Sequence, residues 1–185
     1  MAIVVDTCSL VMMARNYLPL NDDNSMVAFI KRSFAKGELL LLDIILDEAR
    51  RTCKGVVLER MPFLDDKKNV VKTTDLLPPA PRKFDNTVDN NFCVRLLKNG
   101  LTEEEYIQQK SEFMKSGDAK IMVYSWLKNY GQVDLFADYS VMTEETRNQN
   151  DGKLFKKLPL LCDFLKVKVI TAVDYLYQNG FKIVR

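Results

Sequence analysis

Histidine is absent from this chain of 185 residues. Its absence excludes Ser-His-Asp triads, histidine-based acid-base catalysis and histidine-ligated zinc. The four cysteines lie far apart and form no C-x-x-C pair, so neither a zinc ribbon nor a small disulfide framework is expected. Any catalysis must therefore rest on carboxylates, hydroxyls, amines or thiols.

Long apolar runs are also missing. The longest, at residues 39–46, contains Asp43 and is much shorter than the roughly 20 residues of a membrane span. No signal peptide is predicted, because the start has no basic segment and Asp6 interrupts the first apolar run. We therefore expect a cytoplasmic protein. The net charge of +2 neither supports nor excludes a nucleic-acid substrate.

The chain opens on an apolar, β-branched segment that stops at Asp6. Such a continuous run is typical of a parallel strand that is covered on both faces, and we interpret it as the central strand of a sheet. Ligands of these sheets bind outside the carboxyl ends of the strands. Asp6 is therefore the first candidate site residue.

Further strand patterns alternate with helical ones. Strands are predicted at residues 38–42, 133–142 and 168–171, and helices at residues 9–17, 26–35, 86–100, 159–165 and 172–179, with others beginning near residues 44, 102 and 118. Ser25 and Thr102 are predicted caps, and Gly37 is a predicted helix end. The alternation predicts one α/β domain, residues 1–185, with a mainly parallel sheet. A helical and loop-rich excursion, with a short β-like run at 69–74, is expected at about residues 60–115.

Four acidic residues occupy positions from which they could converge. Asp6 ends the first strand, Glu48 lies on the helix after the second, Asp118 opens a helix, and Glu145 follows a later strand. Clustered carboxylates repel one another and suit a hard cation such as Mg²⁺ or Mn²⁺. Such ions can activate water and stabilise the leaving oxygen of a phosphodiester, which requires no histidine.

Each of these acids also has a purely structural interpretation. Asp118 could cap its helix, and Asp6 could form an Asx turn. Glu48 could be a solvated helical residue, and at most one of Glu144 and Glu145 is expected to matter. The metal-site hypothesis rests on the four positions together.

Four motifs carry a family resemblance: Val4-Val5-Asp6-Thr7, Asp47-Glu48, the segment from Glu112 to Asp118, and Thr143-Glu144-Glu145. With these motifs the sequence resembles PIN-domain nucleases. More narrowly it is similar to a prokaryotic PIN-like family, through Asn16-Tyr17-Leu18-Pro19, residues 157–162 and 167–171, and Gly180-Phe181. It departs from the usual pattern at Cys8, at Gly117 (often alanine) and at Glu145 (usually aspartate).

The resemblance implies a three-layer α/β/α sandwich and an endoribonuclease that depends on Mg²⁺ or Mn²⁺. It implies that Asp6, Glu48 and Asp118 bind the metal, that Glu145 completes the site, and that Thr7 or Thr143 orients water or phosphate. It also implies a possible role as the toxin of a toxin–antitoxin pair, with an antitoxin partner and a homodimer.

Basic side chains are candidates for contacts with the RNA backbone, because cations supply the sequence-independent part of RNA binding. The candidates are Arg50, Arg51, Lys54, Lys153, Lys156 and Lys157. For each of them the alternative is a solvated charged face.

Two other α/β enzyme or signalling classes fit the residues less well, and a non-catalytic module is the main alternative. A haloacid-dehalogenase-type phosphatase needs a second Asp two positions after its nucleophile, where this chain has Cys8. A receiver domain needs an acid pair, a phosphoacceptor Asp and a late Lys, of which only parts are present. A catalytically inactive PIN-like module could instead bind RNA or a protein partner, for example an antitoxin helix in a groove lined by residues 10–14.

Overall fold

The computed structural model describes residues 2–78, 80–130, 139–148 and 151–181. Within them, five parallel strands form one sheet in the order β3-β2-β1-β4-β5. The strands are β1 (Ala2–Val5), β2 (Leu39–Leu42), β3 (Val70–Val71), β4 (Tyr139–Met142) and β5 (Lys168–Ile170). The predicted α/β class and parallel sheet are confirmed.

The central position of β1 follows from its apolar sequence. Ile3, Val4 and Val5 are at most 1% exposed, as expected of a strand covered on both faces. In the register, Ile3 lies between Leu39 of β2 and Ser140 of β4. The carboxyl ends of β1 and β4 are therefore level, and the residues that follow them are neighbours.

Helices connect the strands, and the arrangement is compatible with a three-layer sandwich. They are α1 (Thr7–Met12), α2 (Ser25–Ala35), α3 (Asp43–Arg51), α4 (Val56–Arg60), α5 (Pro81–Thr87), α6 (Arg95–Lys98), α7 (Glu103–Lys115), α8 (Gly117–Tyr130), α9 (Leu158–Phe164) and α10 (Ala172–Gln178). Helix α1 continues as a π-helical turn, Met13–Tyr17, and α5 continues as another, Val88–Phe92. None of the described helices has the length and apolar character needed to cross a membrane.

Of the three helix ends predicted from local signals, two are confirmed. Thr102 and Glu105 form the predicted capping box of α7, and Gly37 follows α2 with a φ of +71°. Ser25 is not a cap, however. Asn24 occupies that position with a left-handed backbone, and Asn21 Oδ1 accepts the hydrogen bond from the Met26 N–H.

The prediction of one helix over residues 86–100 is wrong. Helix α5 begins at Pro81, which suits a first helical position, and the backbone leaves the helix at Cys93. There it pairs with a distant segment, because the Val94 N–H donates to the Leu154 carbonyl and the Lys156 N–H to the Phe92 carbonyl, both at 2.8 Å. A helical apolar pattern does not reveal this non-local pairing.

The excursion also supplies an edge strand of the sheet, β3, within the β-like run at 69–74. Asp43, at the start of α3, accepts hydrogen bonds from the Thr73 N–H at 3.0 Å and from the Thr73 hydroxyl at 2.5 Å. These bonds fasten the chain after β3 to the end of β2. Of the predicted strand at 133–142, residues 133–138 lie outside the described part.

Candidate active site

Asp6 lies between the last residue of β1 and the first residue of α1. Its Oδ1 accepts a hydrogen bond from the Thr7 N–H at 2.6 Å, so the carboxylate caps the helix. Its Oδ2 accepts bonds from the Cys8 thiol at 2.8 Å and the Thr143 hydroxyl at 2.9 Å. The residue is only 6% exposed. Asp6 therefore both caps α1 and faces the end of β4.

Burial raises the pKa of Asp6. The hydrogen bonds from Cys8 and Thr143 oppose that rise, and the nearby charge of Glu145 adds to it. The Cys8 thiol is itself held protonated, because burial and the Asp6 charge raise its pKa to about 12. Cys8 thus acts as a hydrogen-bond donor to Asp6.

Thr143 connects Asp6 with the segment after β4. Its hydroxyl donates to Asp6 Oδ2 and accepts a hydrogen bond from the Glu145 N–H at 3.2 Å. The residue is 1% exposed. Its position suits the alignment of two acidic residues, and the expected contact with water or phosphate stays a prediction.

Glu48 reaches the same region from α3. Its Oε2 accepts a hydrogen bond from the Thr7 hydroxyl at 2.8 Å, which ties the second acidic motif to the first. Its neighbour Asp47 is exposed and accepts from Arg50 at 2.6 Å. Glu48 is therefore the acid of that motif that faces the site.

Asp118 lies in the first turn of α8 but does not cap it. The Ser116 hydroxyl accepts the hydrogen bond from the Ala119 N–H at 3.3 Å, and no described residue donates to Asp118. Burial is the largest cause that raises the pKa of Asp118; together with the charges of Asp6, Glu145 and Glu48, and against a smaller lowering by Lys153, it brings the pKa to about 7. The four predicted acids thus act on one another.

The two glutamates after β4 have different roles. Glu144 Oε1 accepts from the Ala172 N–H at 2.7 Å and the Ser9 hydroxyl at 3.4 Å, so it stabilises the start of α10. Glu145 Oε2 accepts from the Leu158 N–H at 3.2 Å, and its charge raises the pKa of Asp6. Glu145 is therefore the fourth member of the acidic cluster.

Two cavities meet at the acids. The first, of about 600 Å³, is called the arginine cavity here, and the second, of about 440 Å³, the lysine cavity. Both contain Asp118, Glu145 and Lys153 in their walls. The arginine cavity is further lined by Asp6, Thr7, Cys8, Val11, Met12, Arg15, Asn16, Thr52 and Glu144. Of the four acids, Asp118 and Glu145 therefore border both cavities, Asp6 borders the arginine cavity, and Glu48 lines neither.

The predicted RNA-contacting residues divide into two groups. Lys153, Lys156 and Lys157 line the lysine cavity. Arg50 ion-pairs with Asp47 and Asp65, and the Arg51 Nε donates to the Asp47 carbonyl at 3.0 Å. Arg50, Arg51 and Lys54 line neither cavity.

Sequence reasoning missed three polar residues of the arginine cavity, Arg15, Asn16 and Thr52. For Arg15 a signal was available: it follows Thr7 and Val11 at intervals of four, the spacing of one helical face. Of the Met-rich residues 10–14, Val11 and Met12 line this cavity, whereas Leu10, Met13 and Ala14 are buried in the core.

The residues fit a hard divalent cation by their chemistry. Among the described residues, no three Asp, Glu or Cys side chains already form a group that could hold a metal ion. The donor set nevertheless consists of carboxylates, the ligands that Mg²⁺ and Mn²⁺ prefer. Asp118 lacks a hydrogen-bond donor in the described structure, and its like-charged neighbours disfavour its ionised form. A cation would relieve that repulsion.

Comparison of the chain with protein-family models, with curated proteins and with solved structures finds no match.

Proposed function

We propose that this chain is a PIN-like endoribonuclease that depends on Mg²⁺ or Mn²⁺. The observation that carries the proposal is the convergence of Asp6, Glu48, Asp118 and Glu145 at the carboxyl ends of the central strands. The order and spacing of the four motifs that resemble PIN domains support the same function.

In this proposal the four acids hold the cation, which would activate water and stabilise charge on the phosphodiester. Thr143 and Cys8 orient the Asp6 carboxylate, and Thr7 orients that of Glu48. These hydrogen bonds fix the carboxylates before substrate arrives, as preorganised sites require.

The lysine cavity supplies the attraction for the nucleic-acid backbone. Lys153, Lys156 and Lys157 lie along its wall, and Lys153 also borders the acids. Lysines placed beside the acids offset the repulsion between the carboxylates and an incoming phosphate. A cytoplasmic location, an antitoxin partner and a homodimer complete the proposal, by resemblance to PIN-like toxins.

Cleavage of labelled RNAs with Mg²⁺ or Mn²⁺ tests the function. We expect wild-type cleavage that EDTA abolishes and that falls by about 10²-fold or more in Asp6→Asn and Asp118→Asn. The second motif offers a matched pair: Glu48→Gln should lose activity, whereas Asp47→Asn, which changes a residue facing Arg50, should retain it. Equal activity in all variants would contradict the proposal.

The second candidate is a PIN-like module that binds RNA or a protein partner without cleaving RNA. It is favoured by the observation that no three acidic or thiol side chains in the described structure already form a metal-binding group. This candidate predicts that the protein binds RNA or a partner but does not cleave RNA. It also predicts that Asp118→Asn changes binding only as far as the loss of one negative charge does.

A further inference from the structure

We propose that Arg15 belongs to a second phosphate-binding subsite, in the arginine cavity, whereas Lys156 and Lys157 line the lysine cavity. This inference rests on the proposed nuclease function and extends it. The subsite would bind the nucleotide that flanks the cleaved bond, so that a single strand crosses the acids from the lysine cavity to the arginine cavity.

The first observation is the direction of α1. The helix starts beside Asp6, and the face that carries Thr7, Val11 and Arg15 forms one wall of the arginine cavity. At about 1.5 Å per residue, Arg15 lies on the order of 10 Å along the helix from Thr7. Its long side chain is therefore placed to contact a phosphate beside the reacting one, rather than the reacting phosphate itself.

The second observation is the electrostatic setting of Arg15. The side chain is exposed, and its Nη1 donates to the Cys53 sulfur at 3.6 Å, a weak acceptor. No acidic residue of the described ranges forms an ion pair with it. Arg50, in contrast, is occupied by Asp47 and Asp65. A guanidinium in this state retains its capacity for bidentate binding of phosphate.

The third observation is the composition of the cavity around Arg15. Val11 and Met12 form an apolar part of the wall, and the Asn16 amide donates to the Met12 sulfur at 2.7 Å. Apolar surface beside a few polar groups is typical of small-ligand sites, whose volumes run from about 300 to 1,000 Å³. The volume of about 600 Å³ lies within that range. The wall thus suits a base or ribose, with Arg15 at the phosphate.

Arg15 is the third residue of the π-helical turn Met13–Tyr17. Turns of this kind are rare and occur frequently at functional sites. The wider turn changes the angle at which side chains leave the helix after Met12. The local backbone therefore agrees with a binding role for this part of the wall.

The experiment measures binding and cleavage of a fluorescent single-stranded RNA by four proteins: wild type, Arg15→Gln, Arg15→Lys and Arg32→Gln. Arg32 is exposed on α2 and lines neither cavity, so its variant is the control for loss of a positive charge. We expect Arg15→Gln to weaken RNA binding by about five- to tenfold. The rise in KM should be larger than the fall in kcat. The slope of log K against log salt should fall by about 0.7, and Arg15→Lys should keep the slope.

Shortened substrates locate the contact. Once the cleaved bond is mapped, oligonucleotides are truncated from one end or from the other. We expect the effect of Arg15→Gln to disappear in one truncation series and to persist in the other. If the effect persists in both, or if Arg15→Gln equals Arg32→Gln on the full-length RNA that wild type cleaves, the subsite is wrong. If wild type neither binds nor cleaves any RNA, the nuclease proposal itself fails.

Discussion

A Cβ atom on residue 117 would lie 2.7 Å from Oε1 and 3.0 Å from Oε2 of Glu48. With a larger residue at position 117, the Glu48 carboxylate and the end of the Ile45 side chain would both have to move. Gly117 is not among the glycines with a positive φ, so space, rather than backbone conformation, is the feature that favours glycine at this position. Because of this close approach, we expect residues Gly117 and Glu48 to be energetically coupled.

The coupling predicts an unusual effect of Gly117→Ala. In a helix, Ala is normally more favourable than Gly by about 0.5–1 kcal/mol. Here we expect a destabilisation of about 1–2 kcal/mol, because the new methyl group displaces Glu48. In a Glu48→Ala background the same change should cost much less or become stabilising. Urea denaturation of the four proteins measures this difference.

The four proteins form a double-mutant cycle for residues 117 and 48. The contact with the Ile45 side chain does not differ between its two backgrounds. The Ile45 Cδ1 would lie 2.8 Å from the new Cβ, and this contact is present in both backgrounds. The difference between the backgrounds therefore reports Glu48 alone. Additive effects of Gly117→Ala and Glu48→Ala would show that the two residues are not coupled.

Asp118→Asn should stabilise the metal-free protein. The pKa of Asp118 rises from its ordinary 3.8 to about 7, so the folded state binds this proton more tightly than the unfolded chain. Wild-type stability should consequently fall as the pH rises from about 4 to about 7, and the variant should escape that loss. We expect a gain of about 1–3 kcal/mol at pH 8 and little difference at pH 4.

Thermal denaturation in EDTA across this pH range measures the effect. A variant that is less stable than wild type at pH 8 would show that repulsion among the acids does not dominate at Asp118.

Thr143→Val should weaken both the fold and the site. The isosteric change removes the donor to Asp6 Oδ2, in a buried hydrogen bond, and the acceptor for the Glu145 N–H, in a partly buried one. We expect a loss of about 1–3 kcal/mol in the free energy of unfolding, together with reduced metal-dependent cleavage. Thr143→Ser keeps the hydroxyl and should retain most of both properties. Equal losses in the two variants would assign the effect to packing.

The hydrogen bonds between Asp43 and Thr73 predict that the free energy of unfolding falls at acidic pH. Burial alone would raise the pKa of Asp43, but the hydrogen bonds from Thr73 and from the Ile44 N–H outweigh it and lower the pKa below 3.8. A lowered pKa stabilises the folded state above about pH 4, and that contribution is lost as the pH falls further. Asp43→Asn should therefore cost stability at pH 7 and much less at pH 2.5.

Urea midpoints at the two pH values, for wild type and Asp43→Asn, check this expectation. A difference that does not depend on pH would show that the charge of Asp43 does not stabilise the end of β2.

The parts of the fold that the sequence predicts are those with strong local signals. The apolar run before Asp6 identifies β1, and Thr102 with Glu105 identifies the start of α7. The edge strand β3 has only two residues, Val70 and Val71, too few to show a period. The interruption at Cys93 depends on pairing with a segment some sixty residues away, which no local pattern contains.

The candidate site could also be predicted only where local sequence signals were sufficient. Asp6 and Glu145 could be placed near each other because parallel strands end at one edge of a sheet. The choice between Glu144 and Glu145 needed the hydrogen bond from the Ala172 N–H, a contact between distant segments. Similarly, only the structure shows that Arg50 pairs with Asp47 and Asp65 and lines neither cavity.

The central claim is that Asp6, Glu48, Asp118 and Glu145 form one cation site, and calorimetric titration with Mn²⁺ tests it most directly. Wild type and Glu104→Gln, which changes an exposed acid at the start of α7, should bind the ion alike. Asp118→Asn should bind it about tenfold or more weakly. Failure of wild type to bind Mn²⁺, or equal binding by Asp118→Asn, would contradict the account.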